Sequence, residues 1–179
     1  MRIISGSYGK RRLHPPNNMR LRPTTDQAKE GLFNILSNRY YFDELHVLDL
    51  FSGTGAISYE FCSRGAISVL AVESNLIHFK YINSVKKELG LENLQIVKND
   101  VFKFLSFNTQ AFNLIFADPP YNLENLNNIP DLILNSHHLA EKGVLILEHS
   151  AGNDFTSHEN FFETRRYGKV HFSFFGKDL

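Results

Sequence analysis

From Leu45 onward, short runs of Val, Ile, Leu and Phe alternate with segments whose apolar residues recur every three or four positions. Strands covered on both faces read as continuous apolar runs, so this alternation predicts an α/β fold: a mostly parallel sheet with helices on both faces. The strand candidates are residues 46–50, 68–73, 94–98, 113–117 and 144–148. Residues 56–63 predict a helix closed by Gly65, and residues 76–89 one closed by Gly90, with Leu76, Phe79, Ile82 and Leu89 along one face. A further helix starts near Asn128 with Pro130 in its first turn. Upstream, Thr24 and Gln27 have capping-box spacing, and Ala28, Leu32, Ile35 and Leu36 follow at helical period, which predicts a helix over 25–37. Residues 2–13 hold Gly6 and Gly9 among strand-like neighbours and predict a basic hairpin or arm. Residues 161–167 and 169–175 flank Gly168 and predict a terminal antiparallel hairpin.

The 179 residues, 42% of them hydrophobic, suit a single domain, with an arm over 1–23 and a helix plus core over 24–179. No stretch approaches the roughly 18 apolar residues of a bilayer span. The single cysteine, Cys62, and the absence of zinc-ligand spacing argue for a reducing, cytoplasmic setting without a structural metal. The 19 basic and 19 acidic residues balance overall but not locally, since residues 1–42 carry a net +6. Arg2, Lys10, Arg11, Arg12, Arg20 and Arg22 all precede the first acid, Asp26. RNA is a natural partner for such a segment. A solvated basic face is the plain alternative, and Pro15, Pro16 and Pro23 oppose the amphipathic helix of a transit peptide.

The first strand runs into Asp49-Leu50-Phe51-Ser52-Gly53-Thr54-Gly55-Ala56, where two glycines allow a sharp turn and close approach to a ligand. A pyrophosphate fingerprint needs a third glycine where Ser58 stands, which argues against a nicotinamide oxidoreductase. A nucleoside ligand lacking pyrophosphate, such as S-adenosylmethionine, fits better. Glu73 ends the second strand, 20 residues beyond Gly53, and can accept from both ribose hydroxyls. Asp100, flanked by Asn99 and Val101, follows the third strand and can accept from an adenine amine. Either acid could instead cap the next helix. The fourth strand ends in Asp118-Pro119-Pro120-Tyr121. Its prolines stiffen the loop, so that the Asp118 carboxylate and Pro119 carbonyl can take the two hydrogens of an exocyclic amine while Tyr121 stacks on the base.

With these motifs in order, the chain resembles the RsmD-type bacterial 16S rRNA guanine(966)-N2 methyltransferase family, of the Rossmann-like class I methyltransferases. The likeness covers almost the whole chain, through Arg2-Ile3-Ile4-Ser5-Gly6 with Gly9, Lys10 and Leu13, then 21–26, Leu32-Phe33-Asn34-Ile35-Leu36, 49–56, Ser63-Arg64-Gly65-Ala66 and 118–121. The resemblance implies a seven-stranded sheet with a C-terminal antiparallel hairpin. It also implies methyl transfer from S-adenosyl-L-methionine to a guanine N2 amine of 16S rRNA, within a 30S subunit or assembly intermediate, by a monomer with no membrane attachment. By position, Asp49, Phe51, Gly53 and Gly55 would hold the methionine part, Glu73 the ribose, and Asn99, Asp100 and Val101 the adenine. Asp118, Pro119 and Tyr121 would hold the target amine and base, with Arg22 and Thr24 near the entrance. Gly31 and the polar stretch 122–128 depart from the family pattern.

The rivals are a DNA adenine-N6 or cytosine-N4 methyltransferase and a non-catalytic RNA-binding assembly factor. The eight histidines have no ligand spacing and read as surface or satisfied groups. Cys62 reads as packed inside a helix, and Phe102, Phe104 and Phe107 as core rather than a base-stacking platform.

Overall fold

The computed structural model describes residues 1–19 and 25–176. Among them, seven strands, β1 (His46–Leu50), β2 (Ser68–Glu73), β3 (Leu94–Lys98), β4 (Phe112–Ala117), β5 (Leu139–His149), β6 (Phe161–Tyr167) and β7 (Val170–Gly176), form one sheet. Its order is β3-β2-β1-β4-β5-β7-β6. The first five strands run parallel, and β7 is antiparallel to both β5 and β6. Alternate side chains enter two cores. Val47, Val69, Leu114, Phe116 and Ile146 pack with the helices α1 (Asp26–Arg39), α2 (Ala56–Ser63) and α3 (Leu76–Leu89). Leu48, Leu70, Ile115 and Leu145 pack on the opposite face with α4 (Val101–Phe107) and α5 (Ile129–Leu134). This is a Rossmann-like class I sheet, and strand order reverses between β1 and β4, where a crevice opens at the strand ends.

The expected elements appear with shifted edges. Thr25 rather than Thr24 caps α1, its hydroxyl accepting from the Ala28 amide at 3.1 Å. Ala28 therefore occupies the third helical position, and Thr24 of the expected Thr24–Gln27 capping box lies outside the described residues. The helix runs to Arg39, two residues beyond the expected end. Strand β4 begins at Phe112, and β5 begins five residues before the expected Val144, because Phe112 pairs with Leu139 across a register shift. The helix α5 carries Pro130 in its first turn, as expected. Of the three phenylalanines on α4 only Phe104 belongs to the core; Phe102 is 36% and Phe107 60% exposed. The short helix turns only one stripe inward, and Phe102 instead sets its edge against Phe51, with centroids 6.3 Å apart.

The basic segment is a hairpin-like arm bound to the core. Arg2 bridges Arg12, with the Ile3 amide on the Arg11 carbonyl (3.0 Å) and the Lys10 amide on the Ile3 carbonyl (2.8 Å). Its tip lies on the C-terminal end of α2, where a Cβ on Gly6 would come within 1.9 Å of the Ser63 carbonyl oxygen. Gly31, the departure in α1, has an equally local reason: a Cβ there would stand 2.2 Å from the ring of Tyr167 at the end of β6.

Candidate active site

A cavity of about 490 Å³ occupies the crevice at the β1/β4 reversal. Its walls include Asp49, Phe51, Gly53, Glu73, Asp100, Val101, Asp118, Pro119 and Tyr121, so most of the expected cofactor and catalytic residues meet in one hollow. Neighbouring parallel strands produce this convergence. Leu50 of β1 pairs with Ala117 of β4, and each strand's exit loop then opens over the same strand ends. Two expected cofactor residues, Gly55 and Asn99, do not line the cavity. Gly55 instead turns the loop into α2 at φ 78°, with the Tyr59 ring where a Cβ would stand. Asn99 joins the strands through its amide, which donates to the Glu73 carbonyl at 3.2 Å.

The glycine loop is anchored from below. Asp49 is fully buried and accepts from the Ser58 hydroxyl, so the serine that breaks the pyrophosphate fingerprint has a task of its own. Burial pushes the Asp49 carboxyl up to about 7, opposed by the Ser58 hydrogen bonds. Phe51 is held at φ 60°, a conformation costly for a bulky residue, at the point where the chain leaves β1 for the cavity wall.

Glu73 accepts from the Gly53 amide at 2.8 Å through one oxygen and from the Asn75 amide at 2.7 Å through the other. A carboxylate has about four lone-pair sites, so each oxygen retains capacity toward the cavity. Asp100 does cap α4, through Oδ1 and the Lys103 amide at 3.0 Å, and lines the cavity as well; the capping and ligand readings coexist. For α3 the cap is Asn75, not Glu73.

Several lining residues were missed by sequence reasoning: Ser52, Thr54, Ser74, His78 and Glu148. His78 stands 3.6 Å from Glu73. Its position, five residues past the second strand's acid and in the first turn of α3, is the only sequence signal it carries. Glu148, next to last in β5, lines the cavity with Asp118, its Oε1 3.5 Å from the Tyr121 hydroxyl.

The described basic residues lie elsewhere. The arm contacts the C-terminal end of α2, whereas the cavity lies at its N-terminus, about 12 Å away along an eight-residue helix. Arg2 pairs with Asp26 at 3.5 Å, and Arg11 lies over the Tyr8 ring. Arg20, Arg22 and Thr24 fall outside the described residues. Cys62 is buried, and burial pushes its thiol up to about 12, which removes it as a nucleophile.

A family model described as Conserved hypothetical protein 95 matches residues 1–176. The chain belongs to this family, the RsmD type. Ribosomal RNA small subunit methyltransferase D of Buchnera aphidicola subsp. Baizongia pistaciae is 30% identical over 148 residues, 83% of this chain and 75% of that one. YlbH of Bacillus subtilis, named as a candidate rRNA methyltransferase, is 36% identical over 156 residues, 83% of this chain and 82% of that one. The solved structure of yhhF from Escherichia coli, a candidate methyltransferase, matches at a TM-score of 0.85 and 27% identity over 98% of this chain and 96% of that chain.

Proposed function

We propose that this chain, an S-adenosylmethionine-dependent rRNA methyltransferase by family, methylates the exocyclic N2 amine of a guanine in 16S rRNA. One observation carries the reading: the glycine corner after β1 and the double-proline corner after β4 line the same cavity. The cavity also fits the cofactor chemically. It offers backbone at Gly53 for the amino-acid part, a carboxylate with spare capacity at Glu73 for the ribose, and Asp100 beside apolar Val101 for the adenine. Its size lies within the range of small-ligand sites.

When bound, the cofactor supplies a methyl group on a sulfonium, which a nitrogen lone pair can displace directly. The lone pair of a base amine is delocalised into the ring and is a weak nucleophile. Asp118 and the Pro119 carbonyl accept its two hydrogens, favour the pyramidal nitrogen and aim the lone pair at the methyl group. The Asp118 carboxylate takes the proton that the methylated amine releases, and Tyr121 stacks on the base. Positioning supplies most of the acceleration. The arm adds sequence-independent, salt-sensitive contacts to phosphates.

The test is to incubate the protein with labelled S-adenosylmethionine and 30S subunits lacking the modification, beside duplex DNA, and to map the labelled nucleoside by mass spectrometry. N2-methylguanosine in the 30S sample is expected. Asp118→Ala lowers turnover by about 10³-fold or more with cofactor affinity retained, whereas Glu73→Ala weakens cofactor binding about 10- to 100-fold. Transfer to DNA alone, or parental turnover by Asp118→Ala, overturns the reading.

A further inference from the structure

Five acids line the cavity, and four of them have tasks above: Asp49, Glu73, Asp100 and Asp118. The fifth is Glu148, which is 3% exposed. Its place follows from the sheet. Ala117 of β4 pairs with Leu147 of β5, so Asp118 and Glu148 are the next residues along the two neighbouring chains, and both line the cavity. The Tyr121 hydroxyl, 3.5 Å from Oε1, places the Glu148 carboxylate at the tip of the ring assigned to the base. The amine-holding corner, the stacking face and this carboxylate thus address one volume.

An ionised carboxylate only accepts hydrogen bonds. Three bases carry an exocyclic amine, and they differ at the ring nitrogen beside it. In adenine and cytosine the one ring nitrogen beside the amine, N1 or N3, is a bare lone pair, whereas the guanine amine lies between a bare N3 and an N1 that carries a hydrogen. A buried carboxylate facing this atom bonds guanine and meets a lone pair in the other two, leaving two acceptors opposed and desolvated. Sites built to bond a particular hydrogen reject analogues lacking it far more strongly than apolar pockets reject a change of shape.

We propose that Glu148 accepts the N1 hydrogen of the target base and is the residue by which this site takes guanine and rejects adenine and cytosine. The proposal rests on the amino-methyl reading of the Asp118 corner and supplies a reason for the base that is independent of family likeness.

The decisive substrate is 2-aminopurine, which keeps the N2 amine and lacks the N1 hydrogen together with O6, so the change of preference on altering Glu148 isolates the N1 contact. Reconstituted 30S particles carrying guanine or 2-aminopurine at the mapped position are compared by kcat/KM. The parent should prefer guanine by about 100-fold or more. Glu148→Gln, whose amide can donate to the bare N1, should narrow the preference to about tenfold or less, with the cofactor Kd unchanged by calorimetry. Tyr121→Phe removes the neighbouring hydroxyl and should keep the parental ratio. Should Glu148→Gln fail to fold, Glu148→Asp withdraws the carboxylate by one methylene and carries the same expectation of a narrowed ratio. An unchanged ratio in the folded Glu148 variant overturns the proposal, as does a Tyr121→Phe variant that narrows it equally. If the parent labels no guanine at all, the proposed function fails instead, so the two failures are distinguishable.

Discussion

Glu60 and Asp49 are both fully buried carboxylates, one on α2 and the other on β1, and the protein treats them in opposite ways. Glu60 accepts from the amides of Ile4 (2.8 Å) and Ser5 (3.0 Å) and from Arg64 Nε (2.9 Å), with Lys29 Nζ at 3.7 Å. Lys29 is itself buried and also donates to the Arg2 carbonyl. Burial pulls the Lys29 ammonium below its usual range, and Glu60 opposes that shift. The chain's own donors surround this carboxylate, and the result is a lock joining the arm, α1 and α2. Asp49 accepts from Ser58 and Ser52, neutral donors both, and among the described residues no Lys or Arg pairs with it. A carboxylate met on all sides stabilises the fold it belongs to. One buried at a cavity wall with neutral donors and no counter-charge is costly in the ligand-free protein.

The comparison can be broken most decisively at Glu60. Replacing it by Ala leaves Lys29 buried without its counter-charge and two arm amides without an acceptor, so urea unfolding should show a loss of about 3–5 kcal/mol. A loss under about 1 kcal/mol, the scale of surface pairs, would mean that the cluster is no lock. Asp49→Asn tests the other side. The folded carboxyl titrates about 3 units above its ordinary value, so the folded state binds the extra proton and the parent loses stability as pH rises from about 4 to about 7. The Asn variant carries no such dependence. It should be more stable than the parent at pH 8 by on the order of 3 kcal/mol, and nearly equal to it at pH 4. A parent less stable at pH 4 than at pH 8 relative to the variant would reverse the sign and refute the assignment. The smallest effect involves no charge. Gly31→Ala drives a methyl into the Tyr167 ring and should cost about 1–3 kcal/mol, read as a lowered Tm with cofactor affinity retained.

Residues whose neighbours are close in sequence were legible in it. The bounds of β1, β2, β3, α2 and α3 follow from apolar periodicity and from glycines at the turns, and the structure has them as expected. The gathering of the glycine loop, Glu73, Asp100 and the Asp118 corner was legible too, since the parallel order places strand ends over one crevice. The extra turns of β5 were not. Residues 140–143 are polar or small, and Lys142 takes φ 57°, so no alternating pattern marks them; pairing with Phe112 creates the strand. Glu148 was read only as the end of a strand, since nothing in its own neighbourhood reveals that β5 lies beside β4. Gly31 read only as a departure, because the Tyr167 that requires it lies 136 positions away.

The amino-acid order by itself determined the alternation of elements, the flexible and stiff corners, and the acids at the ends of β2, β3 and β4, because these depend on backbone chemistry and periodicity within a few residues. Tertiary structure alone decided which of the buried carboxylates became a lock and which a cavity wall. Burial and hydrogen-bond partnership are properties of neighbours in space: the Ile4 and Ser5 amides that bond Glu60 come from the arm, 56 and 55 positions away.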